Sequence, residues 1–579
     1  MRSCNFLMRE KVFLFLCLYN ISFVTLSQNK DNLKEEIIDV RKKYIPNISH
    51  PDKIKISPQI KHEKQKKLKV DYNFHDYKTP AEIIFEKIKP VRYSSSVEKI
   101  KIPENYIKVG YGNYFTPLFD FFLNRELKKG LVAGHFKYSS SMEGNTKRAL
   151  QNDFLESNLK LLYDHRFTNY VLFNTLDLGY KSYNYYGLDN ESEKLNFTDE
   201  TDVKQKYFTF SASTQLENNQ STYPFLENIK FSSSYIKMRE RDRAYEVQFK
   251  LNNKLNFVFL DEVLSIWMNV HNISTSTRDS SLDSMDENQN SKLKKYDYLN
   301  IDIMSNFKIR HEKLSFDIGV KAHAVVDFTN NKNIYKVYPI ARGTYSIVNN
   351  IMIAYANIGG GIKLNSMNQI VNENPFIENS IDIKPTENTV DVSLGLKGFL
   401  LPDLHYDART SFSRIKNFKL LTKTQSNEPL TSPLHQKTTM FKPIWLTNTM
   451  KYNINLCLDY NFMEYFALGN NSQINLITTE DKSELHYNKL INRYIPILGN
   501  NFYIKFNYKS ILIRTELFTS VGRDILDNYT DINIITRYDI TDKLSVFCDF
   551  YNVLNKQYDL WEDYKSYGFQ VLGGLKYKF

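Results

Sequence analysis

The chain reads as an all-β protein, a large antiparallel barrel that spans a membrane with roughly 20–22 strands. Three observations predict this. Short alternating runs follow one another from Tyr106 to Phe579, separated by turn-like residues. Past the N-terminus no run of about 18 apolar residues is present, so a spanning helix is excluded. Tyr (40) and Phe (39) are abundant although hydrophobic residues make up only 42% of the chain. Backbone groups in lipid must be bonded internally, which leaves the closed barrel as the way across.

Residues 1–27 have the pattern of a secretory signal. Arg2, Arg9 and Lys11 supply positive charge, an apolar run follows, and Thr25 and Ser27 are the small residues before a cut ahead of Gln28. Residues 28–104 are rich in Lys and Glu with dispersed prolines, and no strand or helix period holds. They read as a largely irregular periplasmic lead-in, with a solvated charged run at 61–69. Residues 105–579 are the expected barrel.

Within the barrel, Leu299, Ile301, Ile303, Ser305, Phe307 and Ile309 alternate with Asn300, Asp302, Met304, Asn306 and Lys308. A short polar turn at 310–313 follows. Leu314, Phe316, Ile318, Val320, Ala322 and Ala324 then oppose Ser315, Asp317, Gly319, Lys321 and His323. Alternation puts these sets on opposite faces. Ile532, Ile534, Tyr538 and Ile540, a turn at 541–543, and Leu544, Val546, Cys548 and Phe550 repeat the pattern, as do Phe502, Ile504, Phe506 and Tyr508. Connections at 275–294, 363–388 and 417–439 read as long and polar, against tight turns elsewhere. Outer-membrane barrels put long loops outside and short turns in the periplasm. In the last strand Phe569, Val571, Gly573, Leu575, Tyr577 and Phe579 share one face, and Gln570, Leu572, Gly574, Lys576 and Lys578 the other.

The lumen-facing candidates are Asp302, Lys308, Asp317, Lys321, Lys505 and Lys509, with Arg514 and Glu516 beside them. Lys or Arg on the lipid face near the midplane costs about 2–4 kcal/mol, so these charges turn inward. Both signs occur, which predicts an ion-paired wall. The net charge of +11 is scattered along strands and loops, so no nucleic-acid partner is expected. Cys457 and Cys548 form no disulfide framework or metal cluster and read as small apolar fillers. Gly359, Gly360 and Gly361 precede strand-like sequence, so they read as a bend or close packing, not a phosphate loop. Asp279, Asp283, Asp286 and Glu287 gather in one long loop without calcium-binding spacing and read as solvated. No nucleophile, metalloprotease or P-loop motif is present, so neither an enzyme nor a cofactor is expected.

Several stretches carry a family resemblance. Leu575, Tyr577 and Phe579 resemble the C-terminal assembly signal of bacterial outer-membrane proteins. Asn552-Val553-Leu554-Asn555-Lys556-Gln557-Tyr558 is similar to a stretch near the C-terminus of TonB-dependent receptors. Asn374-Pro375-Phe376 with Lys384-Pro385-Thr386-Glu387 is similar to an internal segment of theirs. Tyr106–Pro117 and Asn184–Gly187 resemble opening strands of plug-less receptor-like barrels of the Bacteroidota. The resemblance covers about 106–579 and implies a Gram-negative outer membrane, its lipid and the barrel assembly machinery as partners. It also implies solute passage or uptake, porin-like or receptor-like. Residues 28–104 leave no room for a receptor plug, and a periplasmic energy-coupling or docking protein is their expected partner. The alternative reading is a non-transporting scaffold that docks a periplasmic partner through that segment.

Overall fold

A computed structural model describes residues 104–142, 152–187, 204–219, 225–239, 243–259, 262–278, 293–378, 381–424, 439–480, 484–524 and 526–579. The leader, the lead-in up to 103 and the acidic group at 279–287 lie outside these residues, as does the plug-less expectation. The chain runs β1 (Tyr106–Gly112), β2 (Thr116–Leu127), β3 (Gly130–Ser141), β4 (Phe154–Arg166), β5 (Tyr170–Asn184), β6 (Lys204–Asn218), β7 (Leu226–Arg239) and β8 (Arg243–Phe259). It continues through β9 (Glu262–Arg278), β10 (Leu293–His311), β11 (Leu314–Asp327), β12 (Lys332–Val348) and β13 (Met352–Lys363). Helix α1 (Met367–Glu373) precedes β14 (Thr386–Leu401), β15 (Leu404–Lys416), β16 (Phe418–Lys423), β17 (Phe441–Leu446), β18 (Thr449–Met463) and β19 (Phe466–Thr479). Helix α2 (Glu484–Tyr494) leads to β20 (Leu498–Tyr508), β21 (Ile511–Val521), β22 (Tyr529–Asp539), β23 (Leu544–Tyr551), β24 (Asp559–Trp561), β25 (Tyr564–Lys565) and β26 (Gln570–Lys578).

Twenty-two of these strands form one antiparallel sheet. Each pairs with the next in sequence, except that β15 pairs with β18 and β23 with β26. The hairpins β16–β17 and β24–β25 are set aside as sheets of their own. β1 pairs with β26 from Tyr106↔Lys578 to Gly112↔Leu572, which closes the ring and leaves no edge for another chain to extend. At that seam Gly110 and Gly574 lie opposite each other under the Phe547 ring, and a Cβ on Gly110 would stand 2.8 Å from Phe547 Cζ.

The period-2 pattern divides the wall into two faces. On β10 and β11, Ile301, Ile303, Phe307, Ile318 and Val320 point outward, Ile318 being 53% exposed, while Asp302 on the other face is 7% exposed. The register fixes this division: Asp302 pairs across from His323 and Lys308 from Asp317, so a slip by one residue would carry charge to the apolar face. The strands of this region run to 19 residues in β10 and 17 in β12, longer than the eleven expected, so they extend past any hydrocarbon layer.

Both chain ends of the barrel and most of the tight turns lie at one rim. The long connections lie at the other, together with the short turns at 113–115 and 328–331. The expectation that 363–388 and 417–439 are merely polar is corrected here. Met367, Ile370, Val371, Phe376, Ile377, Ile381, Ile383, Leu420 and Leu421 from these stretches are buried. They sit among apolar partners from other connections and from β6 to β8, which removes their apolar surface from water despite their polar neighbours in sequence.

Candidate functional site

The wall holds charge against charge along its inner face. Lys308 Nζ lies 3.9 Å from Asp317 Oδ1. Asp302 accepts from Asn269 Nδ2 at 2.8 Å. Lys505 stands opposite Arg514 in the β20–β21 register, and Arg514 Nε is 2.6 Å from Glu516 Oε1 and its guanidinium stacks on Tyr503. Lys321 lies on the same face of β11 as Asp317 and His323. Lys509 departs from the expectation: it sits in the turn between β20 and β21 with φ of 50°, off the lumen wall. Its ammonium lies 5.1 Å from the Tyr508 ring centroid instead. Leu575, Tyr577 and Phe579 stay on the outward face beside the seam, with the last two rings stacked at 6.4 Å. Cys457 and Cys548 are free thiols, and Cys457 Sγ donates to Asp459 Oδ2 at 3.7 Å.

At the rim of long connections a second structure forms, a packed cap. The links β5–β6 and β15–β18 leave the sheet nearly half its circumference apart, yet they touch. Thr439 N donates to Gly187 O at 2.9 Å, and Tyr185 Oη donates to Ile377 O at 2.8 Å. Phe376 stacks on Tyr564 at 3.8 Å, and Tyr186 meets Tyr564 edge-on at 4.8 Å. Phe441, 0% exposed, packs beside them, its N–H bonded to Phe376 O and its carbonyl accepting from Glu378 N. Offset and edge-on aromatic pairs add about 0.5–1.5 kcal/mol each beyond area burial.

Charged groups staple the margin of this cap. Arg493 of α2 meets Glu562 at 2.8 Å, Tyr494 Oη donates to the other Glu562 oxygen at 2.8 Å, and Lys423 meets Asp563 at 3.1 Å. Lys419 pairs with Glu373 at the end of α1. Burial, with Glu562 alongside, raises the Tyr494 phenol; complete burial raises Tyr564; burial pushes Tyr567 up to about 12. These phenols therefore stay protonated and serve as fixed donors.

Helix α1 is anchored on the inner wall across from its own strands. Ser366 caps it, accepting from Gln369 N at 3.2 Å. Glu246 of β8, 0% exposed, accepts from Met367 N at 2.6 Å and Asn368 N at 3.4 Å. Thr275 Oγ1 and Gln248 Nε2 complete its shell at 2.9 and 2.7 Å. A carboxylate at a helix N-terminus satisfies orphan N–H groups and suits the helix dipole. Met367, Ile370 and Val371 pack on Tyr207, Ile236, Met238 and Ala244 of β6 to β8.

The motif residues build these connections. Asn374 Oδ1 accepts from Phe376 N at 2.8 Å and ends α1, and Tyr207 Oη donates to Pro375 O. Asn552 and Asn555 take positive φ, and their side chains bond Lys556, Tyr567 and Phe569, shaping the return into β26. Tyr558 stacks on Tyr529 at 3.8 Å and donates to Asp531. Sequence reasoning missed Glu246 and the cap. Met367, Ile370 and Val371 at helical spacing were the one local signal.

Comparison with solved structures places the fold. The FrpB iron transporter from Neisseria meningitidis matches with a TM-score of 0.62 at 8% identity, covering 83% of each chain. The pyoverdine receptor FpvA from Pseudomonas aeruginosa matches at 0.61 and 11% identity, over 83% of this chain and 79% of that one. The copper transporter OprC matches at 0.56 and 11%, over 82% and 80%. The chain has the barrel fold of TonB-dependent outer-membrane receptors. No protein-family model and no curated protein sequence matches it.

Proposed function

We propose that the protein is a Gram-negative outer-membrane barrel that passes small solutes, with the long connections outward and the cap closing that end at rest. The observation that carries this reading is the division of a closed 22-stranded wall into an apolar outer face and a charged inner one. Such a wall suits lipid outside and water inside. The receptors and transporters that share the fold support uptake as its use. Selectivity resides in the inner charges and in the cap. The reading is non-enzymatic and involves no resident cofactor. Residues 1–27 act as the leader, 28–104 as a periplasmic lead-in that docks an energy-coupling partner, and 105–579 as the barrel. Leu575, Tyr577 and Phe579 present the signal to the assembly machinery.

Planar-bilayer conductance tests this. The full-length protein is expected to pass little current, and the Phe376→Ala, Phe441→Ala, Tyr564→Ala triple variant steady current. Silence from both, with heat-modifiable gel mobility showing both folded, would end the passage reading. Large steady current from the unaltered protein would end the closed-cap reading alone.

A further inference from the structure

The connection between β23 and β26 sends one hairpin, β24–β25, into the middle of the cap. Its strands are three and two residues long, and they pair with each other and with no other strand. A two-stranded hairpin on its own is marginal in water, so side chains must hold this one in place. Its root is fixed. Tyr558 stacks on Tyr529 at 3.8 Å and donates to Asp531 Oδ2 at 2.7 Å, and Tyr558 O accepts from Ser566 N at 2.8 Å. Its tip turns at Asp563, whose φ of 68° is a left-handed conformation that Asp adopts more readily than most residues.

From this root the hairpin reaches one connection after another. Tyr564, 0% exposed, stacks on Phe376 of the β13–β14 connection at 3.8 Å. Its Oη donates to Thr439 O of the β15–β18 connection at 2.5 Å. Its ring also lies against Gly187 of the β5–β6 connection, where a Cβ would stand 2.6 Å from Tyr564 Cε2. Tyr186, beside Gly187, donates to Lys565 O at 3.1 Å. Glu562 takes Arg493 and Tyr494 of α2, in the β19–β20 connection, at 2.8 Å each. Asp563 takes Lys423 at 3.1 Å and Thr439 Oγ1 at 2.5 Å, and Trp561 meets the Phe441 ring at 5.4 Å. At the base Arg523 of the β21–β22 connection donates to Asp559 O at 3.2 Å. The connections also touch one another directly, as Tyr185 does Ile377, or Asp524 N does Asn492 O at 2.9 Å. The hairpin is where all of them converge. Groups that share one partner are coupled through it, so moving that partner changes them as a unit.

We infer that the β24–β25 hairpin is the release element of the cap. Seated, it joins the connections β5–β6, β13–β14, β15–β18, β19–β20 and β21–β22; withdrawn, it lets them part together. The hairpin adds no rung to the barrel sheet, so it can leave with the wall intact. As a gate for solutes it rests on the passage reading; as a coupling between connections it stands apart. The test is hydrogen exchange, read by mass spectrometry, on the full-length protein folded in neutral detergent. Two variants attack the same ring from different sides. Gly187→Ala wedges a methyl group against Tyr564 from the β5–β6 connection, and Tyr564→Ala removes the ring itself. Each is expected to raise exchange about tenfold or more in 374–378, β16, β17 and α2 together, because the ring pairs with Phe376 and Tyr186 go with Tyr564. Exchange in β10 and β11 is expected to stay as it was. Tyr185→Phe removes a bond between two connections without touching the hairpin, and is expected to raise exchange near Ile377 alone. No change, or a rise only beside each substitution, overturns the inference, as does an equal spread from Tyr185→Phe. A rise that includes β10 and β11 overturns it too, since the hairpin would then belong to the barrel's own stability. Conductance of the same variants separates the two readings: cap segments that loosen together without any current would sink the passage reading and leave this one standing.

Discussion

The wall and the cap are built by opposite rules. In most of the wall, apolar side chains look outward and the opposite face is polar, apart from the inner residues of β6 to β12 that pack under the connections, so neighbours in sequence decide what most residues do. In the cap, apolar and aromatic side chains turn toward one another, and their partners lie hundreds of residues away. Tyr185 bonds Ile377 over a separation of 192 residues, and Tyr186 bonds Lys565 over 379. The wall is held by backbone ladders that each add one bond per residue. The cap is held by a few large side chains with their polar tips satisfied. The wall is therefore the stable frame and the cap the part that single substitutions can loosen.

The largest effect should follow removal of a central ring. Phe441→Ala leaves a cavity where the cap is 0% exposed and is expected to cost about 3–5 kcal/mol of cap stability. The comparison predicts new proteolytic cuts in 364–385 and 439–448 with the barrel still resistant to heat-free denaturation on gels. A loss of the barrel itself would erase the distinction. On the wall, Ile303→Lys should cost about 2–4 kcal/mol in refolding equilibria, because it puts an ammonium on the lipid face. Met304→Lys, at a half-buried position on the opposite face of the same strand, should cost far less. Equal costs would mean that the two faces are not lipid and water.

Glu246→Ala strips two N–H groups of α1 of their acceptor, at about 1–3 kcal/mol for groups left unsatisfied. Hydrogen exchange should then rise in α1 and not in β10 or β11. The smallest effect concerns pH. The Tyr494, Tyr564 and Tyr567 phenols are raised above their unfolded value of about 10. Their contribution is fully present below that value and is lost as pH rises through the folded values, near 12 for Tyr567. Cap proteolysis should therefore be flat from acid to about pH 9 and increase only in strong alkali. A change near neutrality would assign the cap's strength to other groups.

The connection between β13 and β14 shows where reading by neighbours ends. Asn374-Pro375-Phe376 carries a resemblance in its residues, but its work is visible only in space. Asn374 ends α1, Pro375 accepts from Tyr207 of β6, and Phe376 stacks on Tyr564 of β25. Likewise Lys505 is placed by alternation alone, whereas the displacement of Lys509 into a turn depends on where the β20–β21 ladder stops.

By itself the sequence determined the wall: the antiparallel barrel, and the alternation that sets Ile301, Ile303 and Ile318 on one face and Asp302, Lys308, Asp317 and Lys321 on the other. A two-residue period is local, so it survives without any knowledge of partners. Only the tertiary structure decided that Glu246 of β8 holds the N-terminus of a helix that lies between β13 and β14, that Ile362 N meets His323 of β11, and that Phe376, Phe441 and Tyr564 share one core. Those facts depend on which distant segments the ring brings together, and ring closure is a property of the whole sheet that no single stretch encodes.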